Sequence, residues 1–391
     1  MTVIFNENSV NTMNTTKNKS LSFFYFFTFL FLIFNVFSIS PHVFESLINF
    51  YVFLVIILLL LGVRILGEYK LYRIDLEGFL NASIVNIFLI LFLLVNLSFI
   101  AINDNHIIEI FNYKSLLLDK YNLRLSGINI QSYNLFESIN YFGAALSLIF
   151  LIQKKWIKYL ITTFLYSLFY IYTLQKGPIA TLLLLQILIY WKVNKINYQF
   201  ILLTIVGIFL VMGYFYYILY SEWNWVSFFQ LIEGMLIRIG KAGDIILFTY
   251  SHFEANTLLN GSSFPLIFGL LELNIFESDR VRLPSIIMYE MYGSNLGGAN
   301  SSFITDGFAN FGYGFDIIFI IIFFAYVGVL SFLSKIFNKT IRSFYLLTLS
   351  INATNLVHAQ FWSFLEIGVF YFAIFLIIDS TYKLTFKIKN I

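Results

Sequence analysis

The chain contains no cysteine and little charge. Without cysteine it can form neither disulfides nor thiolate metal centres. Charged residues make up 12% of the 391, against the roughly 25% usual in soluble domains. There is no internal repeat, no inverted-repeat symmetry and no heptad pattern. A glycine-rich nucleotide loop is missing, and so is the paired His–Asp signature that would favour a sugar acyltransferase. What fills the chain is apolar: 59% hydrophobic residues, with 48 Phe and 26 Tyr.

The apolar residues fall in long runs. A helix needs about 20 of them to cross ~30 Å of hydrocarbon. About ten such spans are expected, near 22–39, 46–66, 80–101, 136–152, 157–174, 178–191, 198–220, 314–334, 343–360 and 363–380. The fold class expected is therefore all-α, a polytopic transmembrane helical bundle. The polar segment 1–21 reads as a disordered N-terminus. No small-residue cleavage site follows the first run, so that run reads as a retained span. Positive charge is retained on the cytoplasmic side. With the N-terminus inside, the inner segments carry Lys17 and Lys19, then Arg64, Lys70 and Arg73, then Lys154, Lys155 and Lys158. Lys192 and Lys195 come next, then Lys335, Lys339 and Arg342, and finally the basic tail 381–391 with Lys383, Lys387 and Lys389. The alternation never breaks, which places both termini in the cytoplasm. Most acidic residues fall on the other side. Two outer loops follow, residues 102–135 and 221–313, and a loop as long as the second is usually functional.

That loop is not a hydrophilic tail. Residues 227–248 read as an amphipathic helix, with Phe228, Leu231, Ile232, Met235, Leu236 and Ile239 at helical spacing and Arg238 and Lys241 on one face. Residues 264–273 are apolar but too short to span, as a re-entrant or interfacial piece would be. Pro284 and Gly293 bracket a short helix. In residues 276–283, between the apolar piece and that helix, Arg280 and Arg282 point the same way in an extended chain and suit phosphate oxygens. Glu277 and Asp279 share that spacing and suit a divalent cation; the plainest reading of the four charges is a solvated, self-neutralising cluster, with phosphate binding next and a metal site after it.

The sequence GGANSSFITDGFANFGYG, residues 297–314, stands apart from its surroundings. Its glycines allow close backbone approach. Asn300, Ser301, Ser302, Thr305 and Asn310 supply the short hydrogen bonds that sugar hydroxyls want. Asp306 is placed to accept a hydroxyl proton, or to cap a helix in a glycine turn that lets two helices meet. Asp316 opens the next helix, where an acid suits the dipole. Elsewhere at the outer side, Lys176 is the lone charge of a short turn and serves as an anion contact or a snorkelling anchor. His358 and Glu366 flank another short turn, as an acid–base pair or an interhelical hydrogen bond. His106 and His252 carry no arguable role.

Residues 297–314 resemble the segment before a late membrane helix in the O-antigen polymerase family, with Ala299 set between Gly298 and Asn300. Lys176-Gly177 is similar to a basic residue with glycine after a middle helix of that family, and the span layout is alike. The resemblance implies an inner-membrane glycosyltransferase that moves a glycan from undecaprenyl pyrophosphate to the terminal sugar of a lipid-linked repeat unit. It implies no cofactor, no metal and no nucleic acid partner. Its partners would be the lipid-linked oligosaccharide, membrane lipid, and a chain-length regulator and flippase of the same pathway. On that reading Asp306, His358 and Glu366 are catalytic, Lys176, Arg238, Lys241, Arg280 and Arg282 hold pyrophosphate, and Asn300, Ser301, Ser302, Thr305 and Asn310 hold glycan. An O-antigen ligase and a lipid-linked oligosaccharide flippase are the alternatives. Transport is disfavoured by the scarcity of midplane charge.

Reporter fusions test the orientation. Alkaline phosphatase joined within 221–313 is expected to be active, and inactive when joined after Lys195 or Arg342. The reverse pattern would overturn the topology.

Overall fold

A computed structural model describes residues 35–36, 38–68, 82–102, 130–172, 177–193, 224–226, 242–260, 283–293, 303–356 and 361–389. Among them there is helix and no strand. The helices are α1 (Leu47–Glu68), α2 (Ala82–Ile102), α3 (Ile130–Ile152), α4 (Trp156–Tyr172), α5 (Gly177–Val193) and α6 (Ala242–Ala255). Then follow α7 (Leu283–Tyr292), α8 (Phe303–Phe311), α9 (Phe315–Leu333), α10 (Lys339–Leu356) and α11 (Phe361–Lys389). Eight of these stand where spans were expected. The expected span 198–220 and nearly all of 22–39 lie outside the described residues, as do residues 227–241 and 264–282.

Three helices among the described residues, α1, α2 and α9, are long and apolar enough to cross a membrane. Their outward faces are apolar too. Phe50, Leu54, Leu58 and Leu61 lie exposed along α1, and Ile87, Ile90, Leu91, Leu94 and Leu97 along α2. In water such stripes would drive aggregation; hydrocarbon solvates them.

The helices form two compact units. In the first, α3 packs against α2, α4 and α5. Gly143, Ala144, Ala145 and Ser147 keep α3 thin, and small residues let membrane helices approach closely. The Phe92 ring fills the space a Cβ on Gly143 would need. α3 ends in a Schellman turn: Lys154 adopts φ 57, Lys155 N–H donates to Phe150 O at 2.9 Å, and Lys154 N–H donates to Leu151 O at 3.1 Å. The chain then reverses into α4. A buried amide ties the helices together. Gln186 on α5 donates to Thr163 Oγ1 at 3.0 Å and Ser147 Oγ at 3.3 Å, and accepts from the Tyr159 hydroxyl at 3.1 Å.

In the second unit, α1 lies along α9, α6 packs on α1 and α8, and α8 folds back on α9. Tyr51 meets Asp316, and Gly62 faces the Phe324 ring, so α1 and α9 run parallel. At the far end of α9 a 3-10 turn, Ser334–Ile336, leads to Asn338, whose Oδ1 caps α10 by accepting Ile341 N–H at 3.0 Å. Asp379 on α11 is buried and accepts Asn338 N–H at 3.1 Å. Its other oxygen pairs with Lys383 at 2.5 Å, and Lys383 also donates to Ile336 O at 3.2 Å. α11 runs on to Lys389, so much of the basic segment expected as a tail is helical.

The contact between α8 and α9 depends on Gly307. A Cβ there would stand 2.6 Å from Phe315 O and 2.8 Å from Asp316 N. These are backbone atoms and cannot swing aside. Gly307→Ala is expected to cost about 1–3 kcal/mol as α8 is forced from α9. Gly328→Ala, at a position with nothing within 4 Å, serves as the control. Thermal unfolding in detergent reads both, and equal midpoints would refute the close approach.

Candidate functional site

The polar segment before α9 does not stay open. Residues 303–311 form α8, and Phe303 through Asn310 are all buried. Phe303, Ile304, Phe308 and Ala309 supply the apolar surface. Thr305 and Asn310 are wholly buried, and Asp306 is 1% exposed in the first turn of α8. Asn310 gives its amide N–H to Asp306 O at 2.7 Å. The strand of chain after α6 closes the other end of α8: Leu259 N–H donates to Ala309 O at 2.9 Å and Asn260 N–H to Asn310 O at 3.0 Å. Those carbonyls would otherwise be left over at a helix C-terminus.

A tight turn, Gly312-Tyr313-Gly314, joins α8 to α9. Gly314 takes φ +87 at the N-cap of α9, a conformation costly for residues with a Cβ. Next comes Asp316, completely buried. Its Oδ1 accepts the Tyr51 hydroxyl of α1 at 2.7 Å and Ile317 N–H at 2.8 Å. Its Oδ2 accepts the Tyr250 hydroxyl of α6 at 2.7 Å. Gly314 N–H donates back to Tyr51 Oη at 3.1 Å. One carboxylate therefore joins α1, α6 and α9. A buried charge costs several kcal/mol unless compensated, and here three donors and the positive end of α9 compensate it.

Aromatic rings cover this centre. Tyr250 stacks on Phe308 with centroids 4.2 Å apart and planes 25° from parallel. The Tyr313 ring lies edge-on to Tyr51 at 5.1 Å and to Phe308 at 5.0 Å. Tyr313 is 53% exposed, and its hydroxyl donates to Glu254 Oε1 at 2.5 Å. Burial first, and then the adjacent Asp316 carboxylate, hold the Tyr250 hydroxyl well above its ordinary value. Partial desolvation and then the bond to Glu254 push Tyr313 up to about 12. Both therefore remain donors through the physiological range. Nearby, His42 is raised by its hydrogen bond to Glu45, 2.9 Å away.

Of the residues expected to act, Asp306, Thr305 and Asn310 are brought together on α8. Lys176, Arg238, Lys241, Arg280, Arg282, Asn300, Ser301, Ser302 and His358 lie outside the described residues. Glu366 falls in the first turns of α11, and its side chain is outside the description. Tyr51, Tyr250, Tyr313 and Glu254 were not foreseen. Only the glycines flanking Tyr313 signalled an unusual position. Among the described residues no group of three or more His, Asp or Glu could hold a metal ion. No protein-family model, curated protein or solved structure matches this chain.

Tyr250→Phe is expected to destabilise the protein by about 1.5–3 kcal/mol, the usual worth of a hydrogen bond to a charged group. The fold favours the protonated hydroxyl. Its contribution is therefore whole below the ordinary value of 10.0 and is lost as pH rises past it. Denaturation in detergent from pH 7 to 11 should show an alkaline fall that is smaller in Tyr250→Phe; identical profiles would remove Tyr250 from the linkage.

Proposed function

We propose that the chain is a polymerase of undecaprenyl pyrophosphate-linked oligosaccharide repeat units, working at the outer face of a bacterial inner membrane. It would transfer the growing glycan from its pyrophosphate carrier to the terminal sugar of a new lipid-linked repeat. The observation that carries this reading is the segment 297–314. It resembles the corresponding segment of O-antigen polymerases, and its described part forms a buried helix and turn at one end of an apolar span, next to a two-tyrosine carboxylate centre.

The reaction makes two demands on the protein. Departing pyrophosphate needs cations, a role assigned to Arg238, Arg280 and Arg282, with Lys176 and Lys241 alongside. The acceptor hydroxyl needs orientation and a proton acceptor, for which Asp306, His358 and Glu366 are the candidates. Asp306 is buried against the elements packed on α8, so as a base it would meet an acceptor only when α8 parts from them. Asp316 is not a candidate, since its oxygens are already taken up by three donors.

Deleting the gene tests the reading on a gel of surface polysaccharide. A polymerase mutant leaves acceptor capped by a single repeat. Bare acceptor with accumulated lipid-linked polymer would instead identify a ligase, and single units held on the cytoplasmic side a flippase. Arg238→Ala, Arg280→Ala and Asp306→Asn, each at normal protein level, are expected to abolish long chains. Unchanged ladders would exclude those residues from the mechanism.

A further inference from the structure

The Tyr51–Asp316–Tyr250 centre accounts for its own members and leaves one exposed group unexplained. Tyr313 projects from a two-glycine turn with half its surface open. Tyrosine is enriched at membrane boundaries, where its ring sits at headgroup level. This one is fixed at both ends. Its ring packs near-perpendicular to those of Tyr51 and Phe308, and its hydroxyl is held by Glu254 at 2.5 Å. Tyr51 in turn is locked by Asp316 and Gly314 N–H. The open ring is thus rigid before any ligand arrives, and preorganisation reduces the cost of binding. The carboxylate that holds it is itself exposed: Glu254 stands open to solvent on α6.

We propose that Tyr313 and Glu254 form a sugar-stacking subsite that seats one pyranose ring of a glycan. The aromatic face carries partial negative charge and attracts the weakly positive C–H face of a sugar. The second Glu254 carboxylate oxygen accepts ring hydroxyls, and charged acceptors make the stronger hydrogen bonds. The subsite selects a sugar with one face clear of axial hydroxyls. No bond is made or broken here; its role is binding. It names the part of the substrate read at this end of α9, and so rests on the polymerase reading for its natural ligand.

The test is direct binding by the full chain in detergent. The probe is an oligosaccharide mixture released by mild acid from the surface polysaccharide of the producing cells, read by saturation-transfer NMR. Wild type is expected to bind, and Tyr313→Ala to bind about tenfold more weakly, as expected of a central aromatic contact. Tyr313→Trp should restore binding, which a merely structural tyrosine would not predict. Glu254→Gln should weaken it by a smaller factor. Unfolding midpoints confirm that the variants fold. Binding by Tyr313→Ala equal to wild type, or no binding by wild type, would overturn the subsite. The two readings fail separately: an unchanged ladder on gene deletion removes the polymerase reading whatever the NMR result, and equal binding removes the subsite whatever the ladder.

Discussion

The second unit is organised around one buried carboxylate. Asp316 receives two tyrosine hydroxyls and a backbone amide, so its desolvation is compensated in three directions at once. Each donor comes from a different helix or from the turn beginning α9 itself. Removing any one would leave the charge under-satisfied in a place water does not reach, which is why the geometry is over-determined. Gly314 and Gly307 are the conditions for it. The first lets the chain turn sharply enough to deliver Asp316 to that point, and the second lets α8 lie against it. Tyr313, between the two glycines, packs one part of its ring on Tyr51 and Phe308 and leaves the rest exposed.

The opposite end of α9 solves a similar problem with different chemistry. Asp379 is also a buried carboxylate, but it is answered by a backbone amide at a helix start and by a lysine. The lysine reaches on to a carbonyl of the preceding 3-10 turn. Here the side-chain donor is a charged base, where at the first end the side-chain donors are neutral phenols. That difference follows the charge pattern of the chain: lysine and arginine collect at the end of α9 where Lys335, Lys339 and Arg342 also stand.

The sequence made the helices legible because apolar runs bounded by charge are hard to read otherwise. Expected limits of 46–66 and 314–334 lie within a residue or two of Leu47–Glu68 and Phe315–Leu333. Pro284 and Gly293 bracketed α7, which spans Leu283–Tyr292 with Gly293 at φ +64 just beyond. Of the helix expected over 227–248 only 242–248 lies among the described residues, and there α6 runs on to Ala255, with Tyr250 and Phe253 prolonging its buried face. α8 was not foreseen at all. Thr305, Asp306, Gly307 and Asn310 argue against helix by propensity, while Ile304, Phe308 and Phe311 at helical spacing and burial against its neighbours favour it. The tyrosines of the Asp316 centre were invisible for another reason. Nothing local distinguishes Tyr51 or Tyr250 among 26 tyrosines, because what selects them is a partner hundreds or tens of residues away.

That separation has a consequence for how the protein is made. Tyr51 precedes its acceptor by 265 residues. At about 5–20 residues per second, a ribosome takes tens of seconds to cover that distance. Throughout that interval α1 is already synthesised, while the carboxylate that will claim its hydroxyl does not exist. The tyrosine must be lodged meanwhile at a water-rich boundary or held by the insertion machinery. The carboxylate centre therefore assembles late, only after α9 emerges to meet α1 and α6.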